Sequence, residues 1–280
     1  MKNAAKKLVR SLVGNKFVWG VMDKTLLPFS RYADWMHQQI TKKPDDEVEE
    51  IPDASLLNSD TILHGPFEGM VYKNDQFICS AIPPKLLGSY EREIHEWLFE
   101  ILDKQYDGII DVGCAEGYYA VGFAWKMKNA RVYAYDINEQ ARQQCQKLAA
   151  ANQVTNRVEI RTFCDQEELN KVVAGQRFLI ISDCEGYEKQ LFAESNIKSL
   201  AQSEILIEVH DFMDITILPY LRELFSATHD IREIESIDDL RKMDRYQYPE
   251  LEGRDINERY KIIAEWRKRI MIWMYITPKK

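Results

Sequence analysis

The sequence predicts a doubly wound α/β fold, in which helices cover both faces of a largely parallel sheet. From residue 108 onward, short apolar runs alternate with longer amphipathic runs. The short runs are nearly continuous in apolar, often β-branched residues, as expected of strands buried on both faces. Carboxylates and small residues follow several of these runs, and the carboxyl ends of the strands form the ligand-binding edge in such folds.

The predicted elements follow from these periodicities. Strand-like runs cover 108–112, 131–136, 157–162, 177–182, 204–209, 229–235 and 270–277. Helix-like runs cover 117–128, 138–152, 166–174, 187–199, 214–226 and 257–268. Upstream, 61–73 alternates like a strand, 83–88 predicts a loop, and 89–104 predicts a helix capped by Ser89.

Charge divides the 280 residues unevenly. Residues 1–43 carry nine basic and two acidic side chains, whereas 44–53 carry six acidic ones. We therefore predict a basic helical extension with an acidic linker over 1–60, a substrate-side cap over 61–107, and a cofactor-binding domain over 108–280. The extension suits packing on its own domain, contact with a second copy in a homodimer, or peripheral contact with an anionic membrane surface.

Composition disfavours several classes of protein. The net charge of −8 disfavours a nucleic-acid partner, whose phosphates the average surface would repel. No apolar run reaches the roughly 18 residues of a transmembrane helix. The five cysteines show neither paired nor zinc-site spacing, which favours reduced thiols in a cytoplasmic protein.

The first chemical motif is the segment Asp111-Val-Gly113-Cys-Ala115-Glu-Gly117, where a strand passes into a helix. Residues without large side chains let a ligand approach the backbone, and the helix N-terminus offers free N–H groups. The spacing differs from a dinucleotide fingerprint, and Glu116 would repel a pyrophosphate, which disfavours a nicotinamide-dependent oxidoreductase. The alternative interpretation is a tight turn without a ligand.

Acidic residues also follow the next two strands. Asp136 lies where doubly wound folds place the acid that binds ribose hydroxyls, although a helix N-cap would also explain it. The pair Cys164-Asp165 is a candidate for the edge of an adenine ring. The candidate cofactor-contacting residues are Asp111, Gly113, Cys114, Ala115, Glu116, Gly117, Tyr118, Asp136, Ile137, Cys164 and Asp165.

The second chemical motif follows the fourth and fifth strands. The fourth strand runs into Asp183-Cys-Glu185-Gly-Tyr-Glu, and the fifth ends before His210-Asp211. Buried carboxylates are costly without partners, so their concentration at one edge indicates a functional site. Helix capping is the alternative for Asp183 and Asp211.

With these motifs assembled, the sequence resembles class I methyltransferases and, among them, the FkbM-type family. The resemblance lies in DVGCAEGYYA at 111–120, YDIN at 135–138, DCEGYE at 183–188 and IEVH at 207–210, and extends over about 85–280. Cys114-Ala115 departs from the Ala-Asn that is usual in that family. The resemblance implies a seven-stranded sheet with an antiparallel last strand, and transfer of a methyl group from S-adenosylmethionine to an oxygen of a saccharide or another small molecule.

The resemblance also implies roles for single residues. Asp111 and the small residues of its loop would line the methionine part of the cofactor, Asp136 would hold the ribose, and Asp165 the adenine. Asp183 and Glu185 would face the transferred methyl group. Nucleic-acid base methylation is disfavoured because the fourth strand is followed by Asp-Cys-Glu-Gly without proline.

The sequence leaves the chemistry of the rim open. His210 is the expected general base, since histidine has an ordinary pKa near 6.5; Asp183 is the alternative base. A divalent metal held by Asp183, His210 and Asp211 is a further hypothesis. We expect a catalytic site at Asp183, Glu185 and His210; the competing hypothesis is a non-catalytic subunit that uses the same fold to dock on a partner or membrane.

Overall fold

A computed structural model describes residues 57–72 and 82–280, all of which belong to a compact unit over Glu50–Lys280. The predicted extension over 1–60 lies outside the described residues apart from 57–60. Every helix in the described part is too short or too polar to cross a lipid bilayer. The four cysteines in this part are buried and form no disulfide.

The strands lie close to their predicted positions; the central ones are apolar runs that the sheet buries, whereas the edge strands are partly exposed. They are β1 Gly108–Val112, β2 Val132–Tyr135, β3 Val158–Arg161, β4 Phe178–Ser182, β5 Glu204–Val209, β6 His229–Glu235 and β7 Ile272–Pro278. The helices are α1 Ile82–Leu87, α2 His95–Leu102, α3 Tyr118–Lys126, α4 Glu139–Ala151, α5 Gln166–Val173, α6 Glu188–Leu191, α7 Ile217–Ser226, α8 Asp239–Arg245 and α9 Ile256–Ile263.

The strands form one seven-stranded sheet in the order β3-β2-β1-β4-β5-β7-β6. Pairing is parallel from β3 to β5, whereas β7 runs antiparallel to both β5 and β6. This arrangement confirms the predicted doubly wound sheet with an antiparallel last strand. Because the order reverses direction between β1 and β4, the loops after these two strands open a crevice at the carboxyl edge.

Two apolar cores lie on opposite faces of the sheet. Ile109 belongs to one core and its neighbour Ile110 to the other, as the alternation of side chains along a strand requires. All five residues of β1 and of β4 are buried. Burial on both faces fixes the register of these strands, and with it the positions of the residues that follow them.

The predicted helix over 187–199 is much shorter in the structure, where α6 ends at Leu191. Asn196 explains the break, because its side-chain oxygen accepts a hydrogen bond from Ala193 N at 2.9 Å and its amide donates to Leu191 O at 2.8 Å. These local bonds compete with helix continuation. The short α6 leaves Glu188 in the first turn beside the carboxyl edge of the sheet.

Three predictions upstream of β1 were wrong in detail. The predicted loop over 83–88 is largely the helix α1, whose two prolines occupy its first turn, where a missing N–H has no cost. Ser89 caps no helix, since a 3₁₀ turn over Arg92–Ile94 precedes α2 and neither has a side-chain cap. In the described part of 61–73, strand pairing is limited to one bridge between Thr61 and Val71.

Candidate functional site

The loop between β1 and α3, residues 113–117, has an unusual backbone that we call the cradle. Gly113, Ala115 and Gly117 have φ angles of 83°, 46° and 96°, in the left-handed region that favours glycine. A Cβ on Gly113 would lie 1.7 Å from the carbonyl oxygen of Asp183, and one on Gly117 would lie 2.7 Å from Cys145 Sγ. The glycines are therefore required by both conformation and space.

Asp111 lies at the base of the cradle, near the end of β1. Its side chain is buried, and among the described residues its Oδ2 has no hydrogen-bond partner. Burial raises the pKa of Asp111 to about 7, although a hydrogen bond from the backbone of Ala120 opposes the shift. A buried carboxylate oxygen without a donor is the kind of group that a bound ligand satisfies.

Asp136 connects the cradle to the loop after β2. Its Oδ2 accepts a hydrogen bond from Ala115 N at 2.9 Å, and its Oδ1 accepts one from Asn138 N at 2.7 Å. Burial raises the pKa of Asp136, while these two backbone bonds act in the opposite direction. Asn138 is the residue that caps α4, so the predicted capping role of Asp136 belongs to its neighbour.

Glu116 has a different environment from the one that the sequence predicts. Its side chain is fully buried and forms an ion pair with Lys85 of α1, and Tyr72 Oη donates a hydrogen bond to it at 2.7 Å. Lys85 Nζ also lies 4.6 Å from the ring centroid of Tyr90 and 5.1 Å from that of Tyr118. Because Lys85 balances its charge, Glu116 does not present an isolated negative charge to a phosphate, and that argument against a dinucleotide loses its basis.

The remaining predicted cofactor contacts lie near the same edge of the sheet. Cys114 and Cys164 are buried, and burial raises the pKa of the Cys164 thiol to about 12, so it is an unreactive apolar group. Asp165 caps α5 by accepting a hydrogen bond from Glu168 N at 2.9 Å. Ile137 is half-buried beside Asp136.

The carboxyl ends of β4 and β5 bring together a second set of side chains, which we call the rim: Asp183, Glu185, Glu188, Glu208 and His210. His210 Nε2 lies 3.4 Å from Asp183 Oδ1, 3.6 Å from Glu185 Oε2 and 3.7 Å from Glu208 Oε2. Its other ring nitrogen, Nδ1, hydrogen-bonds to Glu188 Oε1 at 2.6 Å. The three residues predicted for the catalytic site therefore meet, and Glu188 and Glu208 join them.

The charge state of His210 differs from the one that the sequence predicts. Burial by itself lowers the pKa of His210, but the hydrogen bond with Glu188 and the charge of Asp183 outweigh it and raise this pKa to about 10. The imidazole is thus protonated at neutral pH and is not a proton acceptor. Burial raises the pKa of Asp183 to about 6, against the influence of His210, and that of Glu208 to about 7.

A largely buried arginine near β7, Arg267, pairs with one carboxylate of the rim. Arg267 forms ion pairs with Glu208 and Glu91, and its Nε lies 2.9 Å from Glu265 Oε2. Lys242 of α8 makes a second buried ion pair with Glu265 at 2.6 Å. The sequence did not predict these partners, because they are far apart along the chain.

Potential metal ligands in the described part of the chain form one group. It consists of Asp183, Glu185 and His210, whose ligand atoms all lie within 4.8 Å of one another. Asp211, which the sequence placed in the predicted metal site, is outside this group. Glu185 takes its place; it has a left-handed backbone with φ of 53°, and its Oε2 lies 3.6 Å from His210 Nε2.

The chain is similar to solved structures and to one protein family. The fold is similar to precorrin-6y C5,15-methyltransferase from Geobacter metallireducens GS-15, with 14% identity and a TM-score of 0.43, over 66% of this chain and 87% of that one. It is also similar to an O-methyltransferase from Bacillus cereus in complex with SAH, with 13% identity and a TM-score of 0.42, over 66% of this chain and 78% of that one. No curated protein matches the sequence. A sequence profile of the FtsJ-like methyltransferases matches residues 92–244, which is more than half of the chain and includes the cradle and the rim, and the protein therefore belongs to the FtsJ-like methyltransferase family.

Proposed function

We propose that the protein transfers a methyl group from S-adenosylmethionine to a hydroxyl oxygen of a small molecule, such as a saccharide. S-adenosylmethionine is the cofactor, and the chemistry that it supplies is an electrophilic methyl group on a sulfonium. The DVGCAEGYYA and DCEGYE motifs support a closer relationship to FkbM-type methyltransferases within this fold. The acceptor and the FkbM-type assignment are parts of the proposal.

The cradle suits this cofactor. Its glycines leave the backbone open to a ligand, and the free oxygen of Asp111 fits a hydrogen-bond donor such as an ammonium group. Asp136 is a carboxylate at the end of β2, where ribose hydroxyls bind in doubly wound folds. The ammonium and sulfonium charges of the cofactor complement acidic surroundings of this kind.

The observation that carries the proposal is the direct contact of cradle and rim. A Cβ on Gly113 would overlap the carbonyl oxygen of Asp183, and Asp183 N donates to Val112 O at 3.0 Å. A cofactor in the cradle would therefore lie next to the rim, where an acceptor meets ionisable groups. Such adjacency is what an in-line methyl transfer needs, because the protein contributes mainly alignment and exclusion of water.

The rim residues divide the remaining tasks. Asp183 is the proposed acceptor of the hydroxyl proton, since it lies nearest to the cradle. The protonated His210 balances the surrounding carboxylates and holds Asp183 and Glu185 in place. This assignment replaces the predicted general-base role of His210 with a positioning role.

Charge supports a small acceptor over a polyanion. The chain carries a net charge of −8, and four carboxylates face His210 at the rim. A phosphate backbone would be repelled by both. A saccharide hydroxyl carries no charge and meets no such barrier.

Isothermal titration with S-adenosylmethionine tests the proposal. We expect micromolar binding by the wild type and a loss of at least about tenfold, or ~1.4 kcal/mol, in Asp136→Ala, which removes the ribose-binding carboxylate. Glu139→Gln, a change at an exposed residue of α4, is the matched control and should bind like the wild type. A folded wild type that does not bind would contradict the proposal and favour the non-catalytic subunit.

A further inference from the structure

We infer that the rim holds a divalent cation between Asp183, Glu185 and His210, with Glu188 as the residue that positions the histidine. The inference rests on the proposed function, because a cation there would act on the acceptor hydroxyl. The three side chains offer one imidazole nitrogen and two carboxylate oxygens at the end of the cofactor crevice. Asp183 and Glu185 follow β4, and His210 follows its neighbour β5.

The two separations between His210 and the carboxylates fit a shared cation. His210 Nε2 lies 3.4 Å from Asp183 Oδ1 and 3.6 Å from Glu185 Oε2. Two ligands at about 2.0–2.2 Å from one ion, at angles between octahedral and tetrahedral, are about 2.8–3.6 Å apart. Neither contact is made as a hydrogen bond, so Nε2 is directed between the carboxylates without a hydrogen-bonding partner among the described residues.

The burial of these groups is a second, independent observation. The His210 side chain is only 3% exposed, and its Nε2 is directed into the group. Asp183 Oδ1 is a buried oxygen without a hydrogen-bond partner in the described part of the chain. Unsatisfied buried polar atoms are uncommon, and a cation bound by His210 Nε2 would also satisfy Asp183 Oδ1.

Glu188 determines which nitrogen of the imidazole faces the group. Its side chain is fully buried, and its Oε1 hydrogen-bonds to His210 Nδ1 at 2.6 Å and accepts a longer bond from Gly186 N at 3.3 Å. A carboxylate behind a histidine in this way fixes the ring orientation and increases its basicity, as is common behind metal-bound histidines. Glu188 is therefore a positioning residue and not a ligand.

The donor set indicates the class of cation. One imidazole with two carboxylates suits Mn²⁺, Fe²⁺ or Zn²⁺ better than Ca²⁺ or Mg²⁺, which favour oxygen ligands alone. A bound cation would displace the proton that His210 otherwise carries, because metal ligands bind in their deprotonated form. With the cation present, Asp183 would bind it and would no longer take the hydroxyl proton. The positive charge would lower the pKa of the hydroxyl, whose proton would pass to water as the methyl group is transferred.

The test is a titration of EDTA-stripped full-length protein with Mn²⁺, followed by the electron paramagnetic resonance signal of the free ion. We expect one Mn²⁺ per chain in the wild type. Glu185→Gln should weaken binding by at least about tenfold, and its side chain is 54% exposed, so the change does not threaten folding. Glu188→Gln should weaken binding by about 10- to 100-fold through loss of the histidine's orientation.

Asp211→Asn is the matched control, since Asp211 follows His210 directly but lies outside the ligand group. It should bind Mn²⁺ like the wild type. Absence of stoichiometric Mn²⁺ binding by the wild type, or equal losses in Glu185→Gln and Asp211→Asn, would overturn the inference. Titration of S-adenosylmethionine in EDTA measures the cradle separately, so failure of the metal site and failure of the proposed function can be distinguished.

Discussion

The cradle and the rim lie side by side but are built in different ways. The cradle is a short segment of backbone, and its shape depends on glycine φ angles and on the absence of Cβ atoms. The rim is a group of charged side chains whose positions depend on partners far away in sequence, such as Arg267. A local motif can therefore predict a backbone site, whereas a site made of charges has to be assembled by the fold.

The largest loss of stability in either region is expected when a single methyl group is added to the cradle. Gly113→Ala would place a Cβ 1.7 Å from the backbone oxygen of Asp183, at a φ angle of 83°. We expect a loss of more than about 4 kcal/mol in the free energy of unfolding, because backbone cannot move aside as a side chain can. Urea denaturation measures the loss, and titration with S-adenosylmethionine should show no binding.

The control for this change is Gly175→Ala. Gly175 also has a left-handed backbone, with φ of 74°, but nothing lies within 4 Å of its added Cβ. Only the conformational penalty of about 1–2 kcal/mol should remain there. Equal losses at Gly113 and Gly175 would show that contact of the cradle with the rim is unimportant.

A somewhat smaller loss of stability is expected when the rim loses Arg267, the arginine that pairs with its Glu208 carboxylate. Arg267→Met would leave the buried carboxylates of Glu91, Glu208 and Glu265 without their shared partner. Breaking a buried ion pair in this way costs about 3–5 kcal/mol. Thermal and urea unfolding measure it, and the loss should diminish at low pH as the pKa of about 7 of Glu91 and of Glu208 allows both to protonate.

Arg222→Met is the matched control for the rim. Arg222 pairs with Glu233 at the surface, where its side chain is 52% exposed. Such exposed pairs contribute about 0–1 kcal/mol. If Arg267→Met were no more destabilising than Arg222→Met, the rim would not depend on buried charge.

The third change, Asp111→Asn, tests whether the buried carboxylate beneath the cradle lowers the stability of the folded protein. The pKa of Asp111 is raised by burial from 3.8 to about 7, so the folded protein binds this proton more tightly than the unfolded chain does. The wild type should therefore lose stability as the pH rises from about 4 to 7, and the loss should be smaller in Asp111→Asn, because Glu91 and Glu208 also have raised pKa values and remain in the variant. At pH 8 the variant should be more stable than the wild type by on the order of 1–3 kcal/mol, although it binds the cofactor less well.

The measurement is urea unfolding at several pH values between 4 and 8. Asp255→Asn, a change at the exposed cap of α9, is the control, because asparagine caps helices as well as aspartate does. Parallel pH profiles for the wild type and Asp111→Asn would mean that the ligand-free cradle tolerates the charge at no cost.

The difference between cradle and rim also explains which expectations from the sequence were confirmed. The seven strands were placed to within about two residues, because each shows a local strand-like pattern, which is clearest in the buried apolar runs of β1, β4 and β5. The helix over 187–199 was wrong, because the competing hydrogen bonds of Asn196 depend on where the chain turns after α6. The environment of Glu116 was wrong for a related reason, since its partner Lys85 lies in a segment that the sequence placed in a loop.

For the rim, the sequence predicted which residues meet but not their charge states. The sequence predicted that Asp183, Glu185 and His210 would lie together, because the strands that precede them are neighbours in a doubly wound sheet. It did not predict the charge of His210, which depends on Glu188 in α6. The ordinary pKa of histidine was the wrong reference once four carboxylates surrounded the ring.

By itself, the sequence determined the alternation of strands and helices, the glycine-dependent cradle and the edge of the sheet where the acidic residues meet. These features depend on local periodicity, on backbone freedom and on the rule that parallel strands end at one edge. Only the tertiary structure decided which charges are paired, which are buried and which nitrogen of His210 faces the rim. Electrostatic energies depend on distance in space and on exclusion of water, and neither quantity is contained in the spacing of residues along the chain.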